Sequence, residues 1–283
     1  MKLKFLLAAA SILAVTGTHA HAMNSDANDI IIFQGQLGPI DAQFLSPGGH
    51  LVPVAGEFLI NTGTYDGLGG QDTIFFSNSG DFLEAGAVQN VEVFIAGNGT
   101  DFIDVSQSNV GARIEGGNGH DVIFATLFDD VVNGGNGTDF IDGGGGADRL
   151  NGGAGTNLLV GGGGADTYSV GSGNGLFLDT IIEVASDDIN VVQFAAGISL
   201  GDIGFQNLGT DLLLSLDTGS QILIIGQFDA PNSGIDTLIF GDDSQFNVRT
   251  LKGPLASVPE PGTLALLVLG LAGLAVARRH RTI

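Results

Sequence analysis

The four segments GGNGTDFID (134–142), GGGGADRLN (143–151), GGAGTNLLV (152–160) and GGGGADTYS (161–169) follow one another without a gap, and all four share one nine-residue frame. Glycine holds positions one, two and four of every unit. Position six is Asp139, Asp148, Asn157 and Asp166, and position eight is Ile141, Leu150, Leu159 and Tyr168. A flexible glycine-rich linker has no such phase, so the period is structural. Working upstream, GGNGHDVIF (116–124) fits fully, with Asp121 and Ile123. ATLFDDVVN (125–133) has lost its glycines but keeps Asp130 and Val132. A further unit, AGNGTDFID (96–104), repeats NGTDFID of 136–142 two residues out of phase, and GLGGQDTIF (67–75) is a remoter echo.

The frame GGxGxDxUx, with U a large apolar residue, resembles the calcium-binding nonapeptide of the RTX (haemolysin-type) family. The resemblance implies that each unit makes a six-residue turn and a short strand, that two units make one coil, and that coils stack as a right-handed parallel β-roll. The expected fold class is therefore all-β, a solenoid with β-rich flanking and capping regions. The chemistry agrees. Glycine permits a tight turn with inward-facing carbonyls, aspartate adds an anionic oxygen, and calcium takes about 6–8 oxygen ligands in flexible geometry.

If two units make a coil, residues 18 apart lie above one another at about 4.8 Å. Asp121, Asp139 and Asn157 then form one column, and Asp130, Asp148 and Asp166 the other. The expected metal pairs are Asp121/Asp139, Asp130/Asp148, Asp148/Asp166 and, more weakly, Asp139/Asn157, for about three to four Ca2+ ions. Two carboxylates at that spacing repel by about 0.9 kcal/mol even in bulk water. Folding is therefore expected to depend on calcium.

Charge points the same way. The 283 residues include 31 Asp and Glu against 9 Lys and Arg. Lys2, Lys4, Arg278, Arg279 and Arg281 lie at the extreme ends, so the body is almost wholly acidic. Such a body repels phosphate backbones, so nucleic acid is not an expected partner and cations are. With no cysteine, disulfides and thiolate metal sites are excluded.

Both ends read as addresses. Lys2 and Lys4, the apolar run Phe5 to Val15 and the small-x-small Ala20-His21-Ala22 form a signal peptide with cleavage expected after Ala22. At the other end Pro259-Glu260-Pro261 precedes the apolar stretch Thr263 to Ala277 and then Arg278-Arg279-His280-Arg281. Fifteen residues of helix span about 22 Å, short of the roughly 30 Å hydrocarbon core. This arrangement resembles the PEP-CTERM sorting signal of Gram-negative bacteria. It implies a short transmembrane helix as transient inner-membrane anchor, processing by an exosortase-type enzyme, and delivery to the cell surface or exopolysaccharide matrix.

The expected division is 1–22 signal peptide, 23–95 N-terminal β-rich region, 96–170 β-roll, 171–257 C-terminal β-rich cap and 258–283 sorting signal. LDTIIEV (178–184), INVVQF (189–194), DLLLSL (211–216), QILIIGQF (221–228) and DTLIFG (236–241) read as cap strands, with a hairpin turn at Asp217-Thr218-Gly219-Ser220. No His-Glu-x-x-His or Gly-x-Ser-x-Gly occurs, and lysine appears only at 2, 4 and 252, which removes the P-loop. His120 reads as a solvent-facing turn residue. The expected role is a non-enzymatic structural or adhesive calcium-binding component. The alternative is a secreted polysaccharide-active enzyme with an acid pair, which no motif would reveal.

Overall fold

The computed structural model describes residues 71–251 apart from 77–79, 84, 87, 172–175, 185–186 and 231. Upstream it describes the strands Ala10–Thr16, Asn28–Gln34, Gly49–Val52, Phe58–Leu59 and Tyr65–Asp66. Almost all the regular structure is strand, arranged as a parallel β-solenoid of about six turns. The chain alternates between two stacks. One runs through Phe82–Leu83, Phe102–Asp104, Val122–Phe124, Phe140–Asp142 and the second half of Arg149–Val160 to Phe177–Ile182 and Gln221–Ile225. The other runs through Thr73–Phe75, Val93–Ile95, Arg113–Gly119, Val131–Gly137 and the first half of Arg149–Val160 to Thr167–Val170, Val191–Phe194 and Thr237–Ile239.

Register follows the repeat. Ile123 lies on Ile141 and Ile141 on Leu159, while Val132 lies on Leu150 and Leu150 on Tyr168, each step being 18 residues. These six position-eight side chains are at most 1% exposed and form the spine of the core. Full burial of one such side chain is worth about 1.5–3 kcal/mol, and a parallel column of them fixes the register. Because side chains alternate along a strand, positions seven and nine face outward. On the first stack they make a second apolar layer: Phe140, Leu158 and Val160, packed with Val122, Phe124 and Ile182. Phe82, Phe102, Phe124 and Phe140 follow one another along it with ring centroids 4.6, 5.8 and 5.3 Å apart.

Upstream coils are longer. Ile103 lies on Ile123 and Phe94 on Ile114, steps of 20 residues. The two extra residues fall between Ile103 and Ile114, in the turn over Val105–Ala112, which accounts for the phase slip of the 96–104 unit. Stacking crosses residues 95 and 96 without a break, and Ile74 of the remote 67–75 unit is a core residue paired with Phe94. Further out, Gly49–Val52, Asn28–Gln34 and Ala10–Thr16 continue the parallel pairing.

In the glycine-bearing turns positions two and four admit no side chain: Gly135 and Gly137 have φ of +105° and +145°, and a Cβ would collide with the carbonyl oxygens of Gly117 and Gly119 one coil below. Past Ile225 and Ile239 parallel pairing stops. Leu212–Leu216 pairs antiparallel with Gln221–Ile225 through the hairpin expected at Asp217–Ser220, Ile203–Asn207 pairs with Leu212–Leu216, and Gln245–Asn247 closes on Thr237–Ile239. These antiparallel strands cover the C-terminal end of both stacks, the edge a solenoid must protect. No helix among the described residues is long and apolar enough to cross a membrane. The apolar stretch Thr263 to Ala277 and the cleavage site at Ala22 lie outside the described residues.

Candidate metal centre

Two ladders of acidic side chains run along the edges of the solenoid, where the turns join the stacks. In the first, the Asp101 amide donates to Asp121 Oδ1 at 2.8 Å, Asp121 to Asp139 Oδ1 at 2.9 Å, and Asp139 to Asn157 Oδ1 at 3.0 Å. In the second, the Ala112 amide donates to Asp130 Oδ1 at 2.5 Å, Asp130 to Asp148 Oδ1 at 2.9 Å, and Asp148 to Asp166 Oδ1 at 2.9 Å. All six residues singled out in the repeats thus stand in two columns, one coil apart, and each is at most 2% exposed.

Each ladder satisfies one carboxylate oxygen and leaves the other. Oδ2 of Asp101, Asp121, Asp139, Asp148 and Asp166 is buried without a hydrogen-bond partner. A buried carboxylate so treated is destabilising by several kcal/mol unless a counter-charge reaches it. The space beside these oxygens is kept open by the first glycine of each unit. A Cβ on Gly116 would lie 2.8 Å from Asp121 Oδ2 and 2.5 Å from the Gly134 carbonyl oxygen. The same point on Gly134 is 2.6 Å from Asp139 Oδ2 and 2.8 Å from the Gly152 carbonyl, and on Gly143 it is 2.5 Å from Asp148 Oδ2 and 2.7 Å from the Gly161 carbonyl. An anionic oxygen from one coil and a carbonyl from the next therefore face a common cleft three times over.

Two turns depart from this build. Both oxygens of Asp130 are taken: Oδ2 accepts from the Thr126 amide at 2.7 Å, and the Thr126 hydroxyl lies 3.0 Å from each oxygen. At Gly152 the cleft faces the Asn157 side-chain nitrogen, which donates to Asp179 Oδ1 at 2.8 Å. An amide donor there opposes a cation.

The family described as the RTX calcium-binding nonapeptide repeat (4 copies) matches residues 115–150 and 142–177. The repeats are RTX calcium-binding nonapeptides. Residues 257–281 match the PEP-CTERM protein-sorting motif, which marks a protein exported and sorted to the cell envelope through exosortase recognition. The chain as a whole has no match among curated proteins.

The RTX clefts fit calcium, a hard cation that takes carboxylate and carbonyl oxygens at about 2.3–2.6 Å. Among the described residues no three His, Cys, Asp or Glu side chains form a metal-holding group, and the oxygens that face each carboxylate across its cleft are the carbonyls of Gly134, Gly152 and Gly161. That is the donor set the glycine turns expose. Burial raises the carboxylates of Asp101, Asp121, Asp130, Asp139 and Asp166 to about 6, and that of Asp148 to about 8, where the charges of Asp130 and Asp166 add to it. Protons and a cation compete for the same oxygens.

Three acidic groups of this region were not among the expected ligands. Asp101 lies in the first column despite its phase slip, and the identity of NGTDFID at 98–104 and 136–142 was its signal. Asp179 lies in the strand Phe177–Ile182 and Glu183 just past its end, where no repeat marks them; burial raises them to about 7 and about 8. His120 is exposed, and its Nδ1 accepts from the Thr138 amide at 2.9 Å, as befits a turn residue.

Proposed function

We propose that this chain is a structural or adhesive component of a Gram-negative cell surface or exopolysaccharide matrix, whose solenoid folds on calcium after export. The observation that carries the reading is the repeated cleft in which an unpartnered, buried Asp Oδ2 faces a glycine carbonyl of the next coil. Three RTX sites follow from it, at Asp121/Asp139, at Asp148/Asp166, and at Asp139/Asn157, the last with Asp139 as its carboxylate. Asp130 contributes less, because Thr126 already holds both of its oxygens. In low-calcium cytoplasm the columns repel and the glycines favour the unfolded chain, which keeps it export-competent; outside, calcium binding drives folding.

Cleavage after Ala22 would remove the strand Ala10–Thr16 and leave Asn28–Gln34 as the outermost paired strand. The segment Thr263 to Ala277 would hold the chain in the inner membrane until an exosortase-type enzyme cut near Pro259–Pro261. Buried acidic clefts repeated from coil to coil suit a scaffold stiffened by ions more than a catalyst.

The test is far-UV circular dichroism of the full-length protein during calcium titration, with magnesium as control. A calcium-specific coil-to-β transition, reversed by chelator, is expected. A β-spectrum indifferent to both calcium and chelator would sink the proposal.

A further inference from the structure

The last cleft of the second column is built unlike the others, and it opens onto the cap. Val160 pairs with Ile182 and the Gly161 amide donates to the Ile182 carbonyl at 3.3 Å, so Glu183 stands where position one of another nonapeptide would be. In the clefts at Gly116, Gly134 and Gly143 the oxygen across the gap is a backbone carbonyl. At Gly161 it is the Glu183 carboxylate. A Cβ on Gly161 would lie 2.5 Å from Asp166 Oδ2 and 2.6 Å from Glu183 Oε1, with the Tyr168 hydroxyl against the same point.

Asp166 is fully buried and Glu183 is 9% exposed. Neither Asp166 Oδ2 nor Glu183 Oε2 has a hydrogen-bond partner, while Glu183 Oε1 accepts from the Tyr168 hydroxyl at 2.5 Å. Arg249, the basic side chain of this end, is ion-paired with Asp236. Two buried carboxylates facing one gap repel unless a cation or a shared proton lies between them.

We propose that Asp166 and Glu183, with Tyr168 in contact, hold a calcium ion of their own at the seam between the roll and its cap, outside the nonapeptide pattern. This rests on the reading of the roll as calcium-binding. Its donor set carries two carboxylates from two segments, one in the last repeat and one just past the first cap strand, where the nonapeptide clefts have one carboxylate and a carbonyl across the gap. Higher ligand charge raises calcium affinity, so this ion is the one that fastens the cap strand Phe177–Ile182 to the roll.

Tyr168 makes the site visible. The chain has two tyrosines and no tryptophan. Terbium takes calcium's oxygen ligands and luminesces under tyrosine excitation only when a tyrosine is close. Terbium-loaded full-length protein should emit under tyrosine excitation, and Tyr168→Phe should abolish that emission while Tyr65→Phe retains it. Native mass spectrometry should find one calcium fewer on Glu183→Gln than on the wild type. No sensitised emission from the terbium-loaded wild type, emission surviving Tyr168→Phe, or an unchanged calcium count in folded Glu183→Gln would each overturn the site and favour a shared proton. Should Glu183→Gln not fold, Glu183→Asp, which keeps the charge but withdraws it from the gap, is counted in its place: one calcium fewer supports the site and an unchanged count overturns it. A wild type that binds no calcium at all sinks the parent reading, whereas calcium bound in equal number with and without Glu183 sinks this site alone.

Discussion

Asp130 and Asp148 occupy the same position one coil apart, and the chain treats them in opposite ways. Each accepts a backbone amide on Oδ1, from Ala112 and from Asp130 respectively. Asp130 then receives the amide and hydroxyl of Thr126, which stands at position two of its unit. Asp148 has Gly144 at that position, and its Oδ2 has no partner. Burial lifts Asp130 to about 6 but Asp148 to about 8, since the donors around Asp130 offset part of the effect. A turn with a hydroxyl can close itself, whereas a turn of glycines leaves its closure to an ion. Degenerate and intact repeats are thus two solutions to one electrostatic problem, and only the second makes folding conditional on calcium.

The whole set of buried carboxylates should give the largest effect, and with a sign that separates proton from metal. Burial raises Asp101, Asp121, Asp130, Asp139 and Asp166 to about 6, Asp179 to about 7, and Asp148 and Glu183 to about 8. The unfolded values lie near 4, so the folded chain holds these protons more tightly. Their stabilisation is complete below about pH 4 and is lost as pH rises through 6 to 8. In chelator the melting temperature should therefore fall between pH 5 and pH 8. Over the same window calcium affinity should rise, because the ion takes the place of the protons. A chelated protein equally stable at both pH values would mean that the carboxylates find partners in the chain, and the contrast between the two turns would lose its basis.

Substitution of the two aspartates puts the contrast directly. Asp148→Ala removes the carboxylate of one glycine cleft and the acceptor of the Asp130 amide, and should lower calcium-loaded stability by about 3–5 kcal/mol with one ion fewer per chain, as loss of one partner of a buried charge pair does. Asp130→Ala should lower stability as well but leave the ion count closer to that of the wild type. Thermal melts read alongside native mass spectrometry separate the two. Equal ion losses would show that Asp130 is as much a ligand as Asp148.

How much of this could be read beforehand follows from what each residue does. Position eight was legible because one side chain per unit must enter a narrow core, and Ile123 through Tyr168 do so in register. The two columns were legible for the same reason, since an 18-residue coil fixes which aspartates meet. Asp101 escaped because two residues inserted between Ile103 and Ile114 lengthen the turn outside the repeat without disturbing the stack. Glu183 carries no local signal; a lone acid in an apolar run becomes a partner for Asp166 only when the cap strand docks. Thr126 was read as a lost glycine, although its hydroxyl replaces what the glycine admitted. The row of Phe82, Phe102, Phe124 and Phe140 lies on the outward positions, where the nonapeptide consensus makes no demand.

The smallest effects test whether the hydroxyl, and not the bulk around it, closes the degenerate turn. Thr126→Val keeps the volume and removes the hydroxyl donor, leaving Asp130 only the Ala112 and Thr126 amides, and should cost about 1.5–3 kcal/mol, as loss of a hydrogen bond to a charged group does. Leu127 is 69% exposed, and Leu127→Ser should change stability by no more than about 0.5 kcal/mol, as surface substitutions do. The rival account is that the apolar residues of ATLFDDVVN hold the turn by packing, since a Cβ on Gly145 would come within 3.8 Å of Leu127 Cδ2. Denaturant melts of the two variants in saturating calcium decide between them. A loss for Leu127→Ser as large as that for Thr126→Val would locate the closure in packing, and Asp130 would then stand as an open ligand like Asp148.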